Sequence, residues 1–227
     1  HTKYSAENIQ NTLFYDIRSV QFVEDKIICL NGSNIEIFDV SENPSKLFST
    51  NRISDAEVLL NPVKLSYLPN EKRLYVLDNS KKIIYVCNFD IDSPLDIELT
   101  HYWGGVGSKE DRTKFNNPVD FCLDNANNLY VVDSDSAVIK VYNKNLNWIR
   151  NISISEWTEN YPISISQNDG LFAVSTKNGN NILMDEFGNV QETITRVSSD
   201  KSVLNPLHNG IVYIIIGKNI AKYTINN

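Results

Sequence analysis

Trp103 to Tyr142 reads WGGVGSKEDRTKFNNPVDFCLDNANNLYVVDSDSAVIKVY. It opens with a glycine-rich lead-in, Trp103-Gly104-Gly105-Val106-Gly107, that leads through a charged loop to Phe115-Asn116-Asn117-Pro118. A short apolar run follows at Val119-Asp120-Phe121-Cys122-Leu123. Two further strand-like segments, Leu129-Tyr130-Val131-Val132-Asp133 and Ile139-Lys140-Val141-Tyr142, are separated by small polar residues. Branched and aromatic residues favour strands, and Asn, Asp and Ser favour the turns between them.

The middle segment recurs. Ile27–Leu30, Leu74–Leu77, Leu129–Val132, Leu171–Val174 and Val212–Ile215 stand about 47, 55, 42 and 41 residues apart, a spacing typical of roughly 40–50-residue all-β repeats. Each follows a turn signal, as at Asn125-Ala126-Asn127 and Asn168-Asp169-Gly170, where φ > 0 is tolerated. Each precedes another short strand: Ile35–Phe38, Ile83–Val86, Ile139–Tyr142, Ile182–Met184 and Ile220–Tyr223. Inner-strand candidates lie upstream. Four begin at proline (Pro62, Pro118, Pro162, Pro206), whose missing N–H costs nothing before a ladder begins. In the first copy, Ile17-Arg18-Ser19-Val20, Asp16 takes the place of the proline.

The order G…F-x-x-P…D-x-x-x-x-L-Y-V-x-D…I-x-V-Y resembles an NHL repeat, one blade of a β-propeller. The resemblance implies four-stranded blades. Outer-strand candidates are Lys46–Ser49, Ile97–Thr100, Trp148–Ile152 and Val190–Ile194, and Thr12-Leu13-Phe14-Tyr15 supplies the missing fifth. The expectation is one all-β domain over residues 1–227: a propeller of five four-stranded blades closed by the N-terminal strand. A six-bladed ring, usual for the family, is the expectation if the sequence is part of a longer chain.

The net charge is −7, and no basic cluster forms. Nucleic-acid binders need a basic face to displace counterions, so the expectation is no nucleic acid. No apolar run reaches the roughly 20 residues of a membrane span. Three cysteines without close spacing give neither a disulfide framework nor a zinc signature. Nucleophile elbows are absent, and the calcium-loop likeness of Asp133-Ser134-Asp135-Ser136 lacks the later Gly and Glu, so it reads as a turn. No catalytic residue, metal or cofactor is expected.

Two groups of residues remain as candidates. In the register that starts after each Pro-Val pair, Arg18, Lys64, Asp120, Ser164 and His208 are polar among apolar neighbours, a candidate ligand-binding ring at a channel mouth. The aromatics Tyr102, Trp103, Trp157 and Tyr161 mark a candidate partner surface. The leading reading is a non-catalytic module that binds or assembles with another protein, a structural subunit of a larger assembly included, with an extracellular, envelope or virion setting favoured over the cytoplasm. The alternative is a small-ligand binder or metal-dependent lactone or ester hydrolase at the channel. The resemblance implies oxygen ligands for it, from Asp120, Asn61, Asn117 and Asn205.

Overall fold

The computed structural model describes residues 15–41, 45–55, 57–153 and 161–195, and the backbone of 202–207, 211–216 and 219–224. Four antiparallel sheets have four strands each. Blade one is β1 (Ile17–Val23), β2 (Lys26–Asn31), β3 (Asn34–Asp39) and β4 (Ser45–Thr50). Blade two is β5 (Pro62–Leu68), β6 (Arg73–Asp78), β7 (Ile83–Asn88) and β8 (Glu98–Gly104). Blade three is β9 (Pro118–Leu123), β10 (Leu129–Asp133), β11 (Val138–Tyr142) and β12 (Trp148–Ile152). Blade four is β13 (Pro162–Asn168), β14 (Leu171–Thr176), β15 (Asn181–Met184) and β16 (Val190–Ile194). Each runs up and down with sequence neighbours paired. A last sheet of three strands holds β17 (Ser202–Leu207), β18 (Ile211–Ile216) and β19 (Asn219–Thr224).

The expectation of five or six four-stranded blades is therefore corrected to four. Of the segment expected to close a fifth, Thr12–Phe14 lies outside the described residues, and Tyr15 is not in a strand. A second correction concerns Pro206. It pairs with Val212 near the hairpin end of β17 rather than opening the strand, so the fifth repeat does not share the register of the others.

The chain packs as two compact units, His1–Gly104 with blades one and two, and Gly105–Asn227 with the rest. In the first unit Ile28, Leu30, Ile35 and Ile37 of blade one meet Leu65, Tyr67, Val76 and Tyr85 of blade two, all at most 2% exposed. In the second, Tyr130, Val132 and Ile139 of blade three meet Ile165, Phe172 and Val174 of blade four. Middle strands bury both faces, as Leu74, Tyr75, Val76 and Leu77 show at 0–3% exposure. That is why the repeat reads as an apolar run rather than a strict alternation.

The hairpin turns take the backbone that the sequence demands: Asn127, Asp169 and Gly170 all have positive φ (61°, 49° and 79°). Gly32 is required twice over. Its φ is +61°, and a Cβ there would lie 2.4 Å from the Tyr15 hydroxyl. Ser134–Ser136 forms a single 3-10 turn between β10 and β11, in accord with its reading as a turn.

Candidate functional site

Register across the blades locates the candidate ring. Pro62, Pro118 and Pro162 pair with the last residue of the second strand, and in blade one Ile17 does so, opposite Asn31. A bulge follows in each case, and the next paired residues are Ser19, Lys64, Asp120 and Ser164. Arg18 is thus one position out of register, and Ser19 is its replacement. Proline fixed the sequence alignment, and blade one uses Ile17 where the others use proline. His208 lies outside the described residues.

These polar positions are spent largely on holding inner strands together. Arg18 donates to Asn61 Oδ1 at 2.7 Å and to the Pro62 carbonyl at 3.0 Å, while Asp16 ion-pairs with it at 2.7 Å. Ser19 Oγ accepts from Leu65 N–H at 3.2 Å. Gln21 reads Tyr67 at both ends: its amide oxygen accepts from the backbone N–H and its amide nitrogen donates to the carbonyl, each at 2.7 Å. In the second unit Asp120, 8% exposed, accepts from Phe121 N–H at 2.8 Å and Ile165 N–H at 2.9 Å. β1 and β5 belong to separate sheets, as do β9 and β13, so these side chains supply hydrogen bonds between inner strands that no ladder provides. Lys64 and Ser164 are half-buried at the equivalent position.

Of the oxygens proposed for a metal, those of Asp120 and of Asn61, which accepts from Arg18, are engaged; Asn117 donates its amide nitrogen to Asp135 at 3.0 Å, and the Asn205 side chain lies outside the described residues. Among the described residues no three His, Cys, Asp or Glu side chains group to hold a metal ion. No helix there is long and apolar enough to cross a membrane.

A feature that the sequence reading passed over lies at the centre of the third strand. Glu36, Tyr85, Lys140 and Ile182 are equivalent by register, opposite Cys29, Val76, Val131 and Val174. The three polar ones anchor the segment that leads into their own blade or its edge strand. Tyr85 donates its hydroxyl hydrogen to Glu57 at 3.0 Å. Glu36 accepts from Lys46 at 2.7 Å and from Asn31 at 3.1 Å, and Asn31 in turn accepts from Tyr15 N–H and Asp16 N–H. Lys140 is fully buried: its ammonium donates to the carbonyls of Ser108, Asp111 and Lys114 at 2.7–2.9 Å and pairs with Asp133 at 3.2 Å. The signal was present as a lone charge inside the apolar strand VIKVY, four residues after the acidic turn.

The aromatics separate. Tyr102 is 59% exposed on β8, the outermost strand of blade two. Trp103, its neighbour, is half-buried opposite Ile84; it belongs to the strand rather than to the glycine turn after it. Tyr161, 36% exposed, precedes β13, and its carbonyl accepts from Lys177 N–H. Trp157 lies outside the described residues. Trp148 is half-buried beneath Arg112, whose guanidinium sits 4.4 Å from the ring centroid.

No family model matches the sequence, so the NHL resemblance rests on its residue pattern alone. No curated protein matches it either. Solved structures do. Raptor of Chaetomium thermophilum aligns with a TM-score of 0.71 at 14% identity, over 96% of this chain and 20% of that one. The computationally designed protein Ika8 aligns at 0.59 and 11% identity, over 92% of this chain and 58% of that one. Virginiamycin B lyase from Staphylococcus aureus, a propeller, aligns at 0.59 and 10% identity, over 97% of this chain and 73% of that one. At such identities the likeness is one of fold, and the fold is an all-β propeller. The chain spans less than two thirds of the length of Raptor and of Ika8.

Proposed function

We propose that this chain is a non-catalytic β-propeller module, one domain over residues 1–227, that binds another protein and serves as a subunit of a larger assembly. The setting that suits it is extracellular, an envelope or a virion. The observation that carries this reading is Tyr102: a large aromatic 59% exposed on an outermost strand, beside exposed His101. A side chain of this kind gains little in water and much under a partner. Tyr102, Trp103, Trp157 and Tyr161 are the proposed contact residues. The polar inner-strand positions support the same reading, because Arg18 and Asp120 are occupied in tying strands.

The test is a pull-down from the source with the wild-type chain and with Tyr102→Ser, a change at an exposed site that leaves the fold alone. Loss of one specific partner in the variant supports the reading. Retention of every captured protein by the variant removes Tyr102 from it. A second reading, a small-ligand site at Arg18, Lys64, Asp120, Ser164 and His208, is favoured by the half-buried state of Lys64 and Ser164 at one register position. Ligand-induced stabilisation abolished by Lys64→Met would establish it.

A further inference from the structure

A groove of about 550 Å³ runs along the outer edge of blade one, between β4 and the segment that leads into β8. Its apolar floor is Phe48, Ile53 and Ile97; the last two are 0% and 7% exposed. The Phe48 ring is backed by Phe89, 5.8 Å between centroids. Leu95 stands on the lip, 81% exposed. This is a large apolar side chain in water beside a cleft of ligand size.

One wall is a strand edge. β4 is last in its sheet, and among the described residues no strand pairs with its outer side. Edges of this kind are normally guarded by charge, above all by lysine. Here the only lysine of β4, Lys46, is 38% exposed, but its charge is taken up by an ion pair with Glu36, which is 4% exposed, rather than left free to repel a basic strand. Phe48, Ser49 and Thr50, consecutive along this edge strand, all line the groove. A row of alternating N–H and C=O groups repeats every ~7 Å and matches an extended peptide rather than a compact small molecule.

Charge selects among peptides. Asp55 and Asp96 line the groove and make no ion pair among the described residues. Arg52, the one cation there among the described residues, donates its guanidinium to the Asp55 carbonyl. Two carboxylates face one tethered guanidinium, and the chain as a whole carries −7.

We infer that this groove docks an extended, basic segment of another protein. The segment adds to β4 as a fifth strand, seats an apolar side chain over Phe48 and Ile97 under Leu95, and places Lys or Arg beside Asp55 and Asp96. The surface is distinct from Tyr102, so this inference and the proposed function fail separately.

The experiment uses the full chain and fluorescence anisotropy, with a labelled seven-residue peptide that alternates lysine with valine and leucine. Two companions carry glutamate in place of lysine, or N-methyl groups on alternate amides to block strand pairing. The lysine peptide binds. The glutamate peptide binds at least about tenfold more weakly, and N-methylation on the pairing edge abolishes binding. Asp55→Asn with Asp96→Asn weakens the lysine peptide about fivefold. Glu24→Gln with Glu186→Gln changes net charge equally at exposed sites elsewhere and leaves binding as it was. Equal loss in both double variants reduces the effect to net charge and overturns the site. So does undiminished binding of the N-methylated peptide, preference for glutamate, or no binding of the lysine peptide.

Discussion

Replacing Lys140 by methionine keeps the length and apolar stem of the side chain and removes only its ammonium. That ammonium is 0% exposed, and its four partners are the Asp133 carboxylate and three carbonyls of the loop over Ser108–Lys114. The variant leaves Asp133, also 0% exposed, as a buried carboxylate without its countercharge. Two backbone donors remain to it, Asn116 N–H at 3.0 Å and Asn117 N–H at 2.6 Å. Removing one member of a buried ion pair costs about 3–5 kcal/mol. The three carbonyls add little, because Ser108 and Lys114 are exposed and their loop can turn to water. Against a total stability of roughly 5–15 kcal/mol this is a large share. At roughly 2–4 °C per kcal/mol the melting temperature falls by about 6–20 °C. Urea and thermal denaturation followed by circular dichroism measure the loss. Trypsin, which cuts after Lys109, Arg112 and Lys114, reports the released loop. Adding Asp133→Asn to Lys140→Met neutralises the stranded charge and recovers about 1–3 kcal/mol. A loss below about 1 kcal/mol with unchanged trypsin cleavage would refute the argument that this ammonium holds the loop.

Three further expectations are directly measurable. Asp120→Ala removes the acceptor of Ile165 N–H and lowers stability by about 1–3 kcal/mol. The loss is the same with and without added divalent metal; a loss seen only with metal present would return Asp120 to a metal site. Burial pushes the thiols of Cys29 and Cys87 up to about 12. A thiol-specific reagent at pH 8 therefore labels half-buried Cys122 first, and equal labelling of all three in the folded chain contradicts the burial. Glu57 is held below its usual range by hydrogen bonds from Lys81 and Tyr85. Its folded state prefers the ionised form, so its contribution is present above pH about 4.5 and fades as pH falls through the depressed value. Glu57→Gln should flatten that part of the acid-unfolding curve, and an unaltered curve in the variant excludes Glu57 as a source of acid sensitivity.

The repeat was legible because its parts are local. Turn chemistry at Asn127 and Asp169–Gly170, and apolar runs such as Leu74–Leu77, obey constraints that a short window contains. The Leu-Tyr-Val-x-Asp signature also has a local cause. Asp78 and Asp133 end the second strand and accept from the backbone that enters the first: Leu60 N–H and Asn61 N–H in one blade, Asn116 N–H and Asn117 N–H in the other. The blade count was less legible. Each of the four complete sheets takes four consecutive strands, whereas the last holds three described strands, and pairing with a distant segment, which alone could add a fourth, is recorded in no window.

By itself the sequence determined the all-β class, the strand order within each repeat and the turns, since these follow from side-chain period and backbone preference along consecutive residues. Tertiary structure decided what the polar residues do. Arg18 and Ser19 differ by one position in the chain, yet a bulge places Ser19 and not Arg18 in register with Lys64, Asp120 and Ser164. A polar residue between apolar neighbours looks the same whether it faces a ligand or ties down a strand. Asp120 meets Ile165 across 45 positions and Lys140 meets Ser108 across 32. The first contact arises from how two blades pack and the second from how a loop folds back on its own blade, and only the folded chain shows them.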